Sequence, residues 1–160
     1  MSNDTIYSRI IASPVGPLTA VATDSGLRAV LWPDDERIAF GSTPIEAADH
    51  PILAETATQL EQYFGGERVV FDVPLDLRGT EFQVSVWQAL AEIPFGETST
   101  YGDQAQRIGR PTAARAVGAA NGQNPVSIVL PCHRIVGKDG SLTGFAGGLE
   151  TKRFLLDHEQ

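Results

Sequence analysis

The most reactive group in this 160-residue chain is its single cysteine, Cys132, in the run Pro131-Cys132-His133-Arg134. The thiolate is the nucleophile, and an unperturbed thiol titrates at about 8.5. A neighbouring imidazole and guanidinium raise the thiolate fraction, so this run fits nucleophilic chemistry. The same residue also fits a small buried packing group, a common fate of a lone cysteine. His133 is the candidate base. Adjacent residues on a strand point to opposite faces, so a bridging water is an alternative to direct contact. Glu159 is a candidate carboxylate to orient the histidine. Both residues also fit plainer roles, a packed histidine and a solvated terminal charge.

Three further features carry polar or steric potential. Arg115 stands in the alanine-rich stretch Ala113-Ala114-Arg115-Ala116-Val117-Gly118-Ala119-Ala120. Small residues let such a helix approach a flat partner, and one long cation on it could enter a groove. Tyr101 precedes that stretch and reads either as a polar participant or as a packed core tyrosine. The loop Gly144-Phe145-Ala146-Gly147-Gly148 can bring backbone amides close to a ligand, but it lacks the spacing of dinucleotide or phosphate-binding loops.

The elements that must position these residues are read from periodicity and punctuation. Ile6 to Ala12, Leu18 to Thr23 and Leu27 to Trp32 alternate with turn clusters and predict a three-stranded antiparallel meander. The stripe Leu53, Ala57, Leu60 and Phe64 predicts a helix over 45–64, stopped by Gly65-Gly66. Residues 74–79 read as a connector. Thr80-Glu81-Phe82-Gln83 matches a capping box, and Phe82, Val86, Leu90 and Ile93 form the stripe of the helix it opens. Helices are expected over 100–108 and 112–121, joined by Gly109-Arg110-Pro111 in the outline of a helix-turn-helix. Val126 to Leu130 is a buried apolar run, and a final helix spans about 150–158.

One cysteine excludes an intramolecular disulfide and a cysteine-built zinc site. His50, His133 and His158 are too scattered to suggest a metal centre. No apolar run is long enough to cross a membrane and no signal segment is visible, which predicts a soluble cytoplasmic protein. The net charge of −8 argues against a protein that coats nucleic acid, but the charge is uneven. Residues 1–78 carry five arginines against twelve acids, whereas residues 79–160 carry seven basic residues against eight acids. Between 100 and 138, Arg107, Arg110, Arg115, Arg134 and Lys138 face only Asp103.

The ordered set of motifs resembles the O6-alkylguanine-DNA alkyltransferases, also called methylated-DNA–protein-cysteine methyltransferases. The resemblance runs from Ser13-Pro14-Val15-Gly16-Pro17-Leu18 through Phe82 to Trp87, Pro94-Phe95-Gly96-Glu97 and Tyr101. It continues in Ala114-Arg115-Ala116-Val117-Gly118, Asn124-Pro125, Pro131-Cys132-His133-Arg134 and Gly147-Gly148-Leu149. It implies an α+β fold. A ribonuclease-H-like N-terminal domain, a small antiparallel sheet plus a helix, would span 1–78. A mainly helical domain with a winged helix-turn-helix would span 79–160.

The resemblance also implies roles. Cys132 would accept the alkyl group, with His133 acting on it through a water and Glu159 orienting the histidine. Asn124 would brace the helix-turn-helix against the cysteine segment. Tyr101 would help rotate the damaged nucleotide out of the duplex and hydrogen-bond the leaving oxygen, and Arg115 would fill the gap in the stack. Thr112, Ala113, Ala114, Ala116, Gly118 and Asn121 would face the minor groove. Ile135, Gly144, Phe145 and Ala146 would line the guanine pocket with Tyr101. The implied substrate is O6-alkylguanine, and O4-alkylthymine, in double-stranded DNA. The alkyl group would move once and irreversibly, without a cofactor or metal. The chain would act as a monomer, cooperative assembly on DNA being left open.

The chain departs from the family pattern in three places. No cysteine precedes Cys132 to build the zinc site of some members, Ala146 stands where serine is common, and Gly144 and Ser127 occupy variable pocket positions. Relatives with tryptophan in place of the cysteine only sense damage. Two other functions stay open on the residues alone. One is a damage binder that leaves Cys132 unreacted, and the other is a multiple-turnover cysteine hydrolase.

Overall fold

The computed structural model describes residues 5–160, which form two compact units, one ending at Leu77 and the other starting at Arg78. The first is built on a four-stranded sheet in the order β3-β2-β1-β4. Strands β1 (Tyr7–Ile11), β2 (Leu18–Ala22) and β3 (Leu27–Leu31) form the expected antiparallel meander. The two-residue strand β4 (Ile45–Glu46) extends it by pairing parallel to β1, so the sheet is mixed.

The central strand β2 is buried on both faces, which is why its pattern is nearly continuous rather than alternating. Helix α1 (Pro51–Phe64) packs on the sheet and buries Leu53, Ala57, Leu60 and Tyr63. On a second cluster, Ile6, Val21 and Ala29 pack with Leu31, Ile38 and Phe40.

Two departures from the sequence reading have local causes. The helix expected over 45–64 begins at Pro51. Proline has a preset φ and no amide to donate, and it biases the residue before it away from helix. His50 therefore caps the helix, accepting from Ile52 N at Nδ1. Upstream, Ile45 N and Ala47 N donate to Ile6 O and Ser8 O instead, making β4. The supposed connector is also partly sheet. Leu27 N donates to Pro74 O and Asp76 N to Leu27 O, and Thr23 Oγ1 donates to Asp76. Gly26 is required there, since a Cβ would lie 2.7 Å from the Leu75 carbonyl carbon.

The second unit opens with the capping box as read. Thr80 Oγ1 accepts from Gln83 N and Gln83 Oε1 accepts from Thr80 N, starting α2 (Glu81–Leu90). Helices α3 (Tyr101–Arg107) and α4 (Ala114–Gly122) follow, joined by the turn at 108–113. They pack on α2, whose Trp87 Nε1 donates to Ala120 O, and a reciprocal amide pair between Gln104 and Asn121 locks α3 to α4. Strands β5 (Ser99–Thr100) and β6 (Ile135–Val136) pair in parallel and, with the loop after β6, complete the winged arrangement. Helix α5 (Leu149–His158) closes the chain.

Candidate active site

Cys132 begins a single 3₁₀ turn, Cys132–Arg134, rather than lying on a strand. Its placement is fixed from upstream by a buried tight turn. Val129 N donates to Ser127 O across Ile128, whose φ of 73° is unusual for a β-branched residue. Asn124 holds that geometry from within, its Nδ2 donating to Leu130 O at 2.9 Å and its Oδ1 accepting from Val126 N at 3.1 Å. Pro131 then delivers Cys132, whose amide donates to Leu130 O.

His133 and Glu159 meet as the sequence suggested. His133 Nε2 lies 2.7 Å from Glu159 Oε2, and both residues are essentially buried. Burial pushes the His133 pKa below its ordinary 6.5, outweighing the opposing pull of Glu159. The ring is therefore neutral at pH 7. With its proton on Nε2, donated to Glu159, the lone pair is left on Nδ1. That atom is buried and has no hydrogen-bond partner among the described residues.

Arg134 departs from its expected role beside the thiol. Its Nε and Nη2 donate to the two Glu159 oxygens at 2.8 and 3.0 Å, and its Nη1 donates to Ile93 O. The guanidinium balances Glu159 and clamps the 3₁₀ turn to the end of α5. It is buried, so it also drops out of the exposed positive charge counted over 100–138.

A cavity of about 340 Å³ opens beside the thiol. Tyr101, Gly118, Cys132, Gly144, Phe145 and Ala146 line it, together with Asn121 and Gly122 of α4. Gly118 faces the Tyr101 ring, where a Cβ would meet the ring at 3.6 Å. Ile135, expected at the pocket, is buried in β6 and is not among the lining residues.

The residues assigned to a groove-facing surface divide. Arg115 and Ala116 are exposed on α4, while Thr112 and Ala113 lie in the turn before it and Ala114 is half-buried at its start. Asn121 is corrected: it is buried, points at Gln104 and lines the cavity. Ala119, exposed three residues after Ala116, shares the outer face of α4 and follows from helical spacing alone.

Lys152 went unread in the sequence. It is 1% exposed, and its Nζ donates to Thr143 O at 3.3 Å. Burial lowers its pKa, and the charge of Cys132 opposes that shift, so ammonium and thiolate attract one another. A signal was present: Lys152, Leu155 and Glu159 recur at the three- and four-residue spacing of one helix face, the face that α5 buries. No group of three His, Cys, Asp or Glu residues that could hold a metal occurs among the described residues.

The fold and site together define a class: a buried, charge-assisted thiol beside a helix-turn-helix, opening on a cavity walled by α3, α4 and the loop before α5. Two sequence profiles cover almost the whole chain. They are the 6-O-methylguanine DNA methyltransferase ribonuclease-like domain, over residues 6–77, and the DNA binding domain of the same name, over 81–160. A methylated-DNA–protein-cysteine methyltransferase of Methanosarcina mazei is 48% identical over 97% of this chain and 98% of its own. Its counterpart in Mycobacterium tuberculosis is 48% identical over 97% of this chain and 93% of its own. The crystal structure of the M. tuberculosis O6-methylguanine methyltransferase superposes with a TM-score of 0.89 at 45% identity, over 97% of this chain and 93% of that one. A structure of the M. tuberculosis protein in complex with DNA superposes at 0.87, over 96% and 92%. The chain belongs to the methylated-DNA–protein-cysteine methyltransferase family.

Proposed function

We propose that the protein repairs DNA by direct reversal, moving the alkyl group of O6-alkylguanine, and of O4-alkylthymine, irreversibly to Cys132. The observation that carries this reading is the cavity lined by both Cys132 and Tyr101, with the buried His133–Glu159 pair next in sequence to the thiol through His133.

Neutral His133 accepts the thiol proton at Nδ1, through a water, while Glu159 holds the imidazolium that forms. The Lys152 ammonium favours the thiolate. The sulfur attacks the alkyl carbon in line, so an S–C bond forms as the C–O6 bond breaks. Tyr101 supplies the proton that O6 needs to leave, and solvent carries the proton from His133 back to the Tyr101 phenolate. The net exchange converts thiol and O6-alkylguanine to thioether and guanine. A thioether resists hydrolysis, so each molecule acts once.

An O6 adduct cannot be reached inside a stacked duplex, which requires the nucleotide to be turned out. In this reading α4 enters the minor groove with Ala116 and Ala119 toward the backbone, and Arg115 takes the vacated place in the stack. The single cysteine suits a reducing compartment, in keeping with a cytoplasmic monomer.

The test is incubation with duplex DNA carrying O6-methylguanine labelled in the methyl group. Label should pass to the wild-type chain and not to Cys132→Ala. Equal labelling of that variant would overturn the assignment, and tight lesion binding with no transfer would favour a damage sensor.

A further inference from the structure

Tyr101 is the first residue of α3, and its ring lies against Gly118 of α4. The hydroxyl has a partner, Thr143 Oγ1, at 2.5 Å. Thr143 sits half-buried in the loop between β6 and α5. That loop also supplies Gly144, Phe145 and Ala146 to the cavity wall. Residue 143 is tied from its other side, because Lys152 Nζ on α5 donates to its carbonyl. Thr143 thus links the buried face of α5 to the phenol that faces the cavity.

Proton counting gives this contact a direction. A phenol and a threonine hydroxyl each carry one proton and can each accept. If the phenol donates to Thr143, it has no proton left for a substrate. If Thr143 donates to the phenol oxygen, the phenolic proton is free to point into the cavity. A ligand with an acceptor oxygen there selects the second arrangement, in which each link polarises the next.

We propose that Thr143 is a positioning residue for alkyl transfer: its hydroxyl holds the Tyr101 phenol over the cavity and, by donating to it, aims the phenolic proton at the leaving O6. This rests on the reading of Tyr101 as the proton donor. No additional reagent is involved. As the C–O6 bond breaks, the phenolic proton passes to O6, and the Thr143 proton stays on its own oxygen, hydrogen-bonded to the developing phenolate.

The test compares Thr143→Val, which keeps the shape and loses the hydroxyl, with Thr143→Ser, Tyr101→Phe and the double variant Tyr101→Phe/Thr143→Val. Single-turnover transfer is followed on saturating duplex with O6-methylguanine, and lesion affinity is measured with each change placed in a Cys132→Ser background. Thr143→Val should slow transfer about 10-fold, the effect of one neutral hydrogen bond, with affinity unchanged. Thr143→Ser should recover most of the rate. In the Tyr101→Phe background Thr143→Val should have no further effect, because its target is gone. A wild-type rate for Thr143→Val would overturn the proposal, as would a defect undiminished in the Tyr101→Phe background. A loss confined to affinity would also overturn it and make Thr143 a loop-packing residue. A Tyr101→Phe variant with the full rate would remove the donor itself. That outcome differs from a slow Tyr101→Phe beside a normal Thr143→Val, which would retire Thr143 alone.

Discussion

At the scale of single residues, the proposed mechanism needs a neutral histidine, and burial supplies one at His133. His133 has its pKa lowered by burial, so between that value and 6.5 the unfolded chain binds a proton that the folded chain excludes. Stability should therefore fall as pH drops below about 6.5 and be insensitive to His133 above it. Urea denaturation between pH 5 and 8 checks this, and a His133→Asn variant should lose that part of the slope. Lys152 makes the opposite kind of contribution. Its buried charge costs stability while favouring the thiolate. Lys152→Met should leave the denaturation midpoint equal or higher, yet slow iodoacetamide modification of Cys132 at pH 7 by about 10-fold. Asn124→Ala orphans the buried Val126 amide and leaves Leu130 O with only its bond from Cys132 N. It should cost about 1–3 kcal/mol, read by chemical denaturation, and abolish transfer because Cys132 loses its seat. The adjacency of Cys132 and His133 and the type of Glu159 were open to a reader of the sequence. The destination of Arg134 was not, because a basic residue beside a thiol suggests activation and nothing local reveals that its partner lies 25 positions later.

At the scale of elements, the Arg134–Glu159 clamp joins the 3₁₀ turn to the end of α5, with Ile93 O as a third point. Removing one partner of a buried ion pair leaves the other charge uncompensated, so Glu159→Gln should cost about 3–5 kcal/mol. A thermal or urea transition measures it. The same change frees the His133 ring, so transfer should fall more steeply than stability alone accounts for. Elements with strong local signals were legible: the capping box at Thr80, the two short helices around Gly109 and the meander of β1 to β3. Those that depend on distant pairing were not. Strand β4 is two residues without alternation, visible only through its bonds to β1, and Leu75 joins the sheet through Leu27, 48 positions before it. The helical stripe begins only at Leu53, and Pro51 marks the boundary that the chain uses, leaving Ile45 to β4.

At the scale of the whole molecule, charge decides how the protein meets DNA. The acidity lies in the first 78 residues, and of the five basic residues over 100–138 only Arg107, Arg110, Arg115 and Lys138 are exposed. Four phosphate contacts set the limit for this face, giving a slope of log K against log salt of about −4 or shallower. Binding to undamaged duplex at several salt concentrations tests it, and a slope near −9 would mean that other cationic surface takes part. In the proposed mode of binding, recognition would rest on the cavity and on Arg115 more than on general attraction. In the proposed reaction one protein molecule removes one alkyl group and keeps it on Cys132. Intact-mass and peptide analysis after reaction with excess duplex containing O6-methylguanine reads that stoichiometry. The expected result is one methyl group per chain, on Cys132, with one guanine restored for each. Restoration of many guanines per chain, or a methyl group on any other residue, would contradict it.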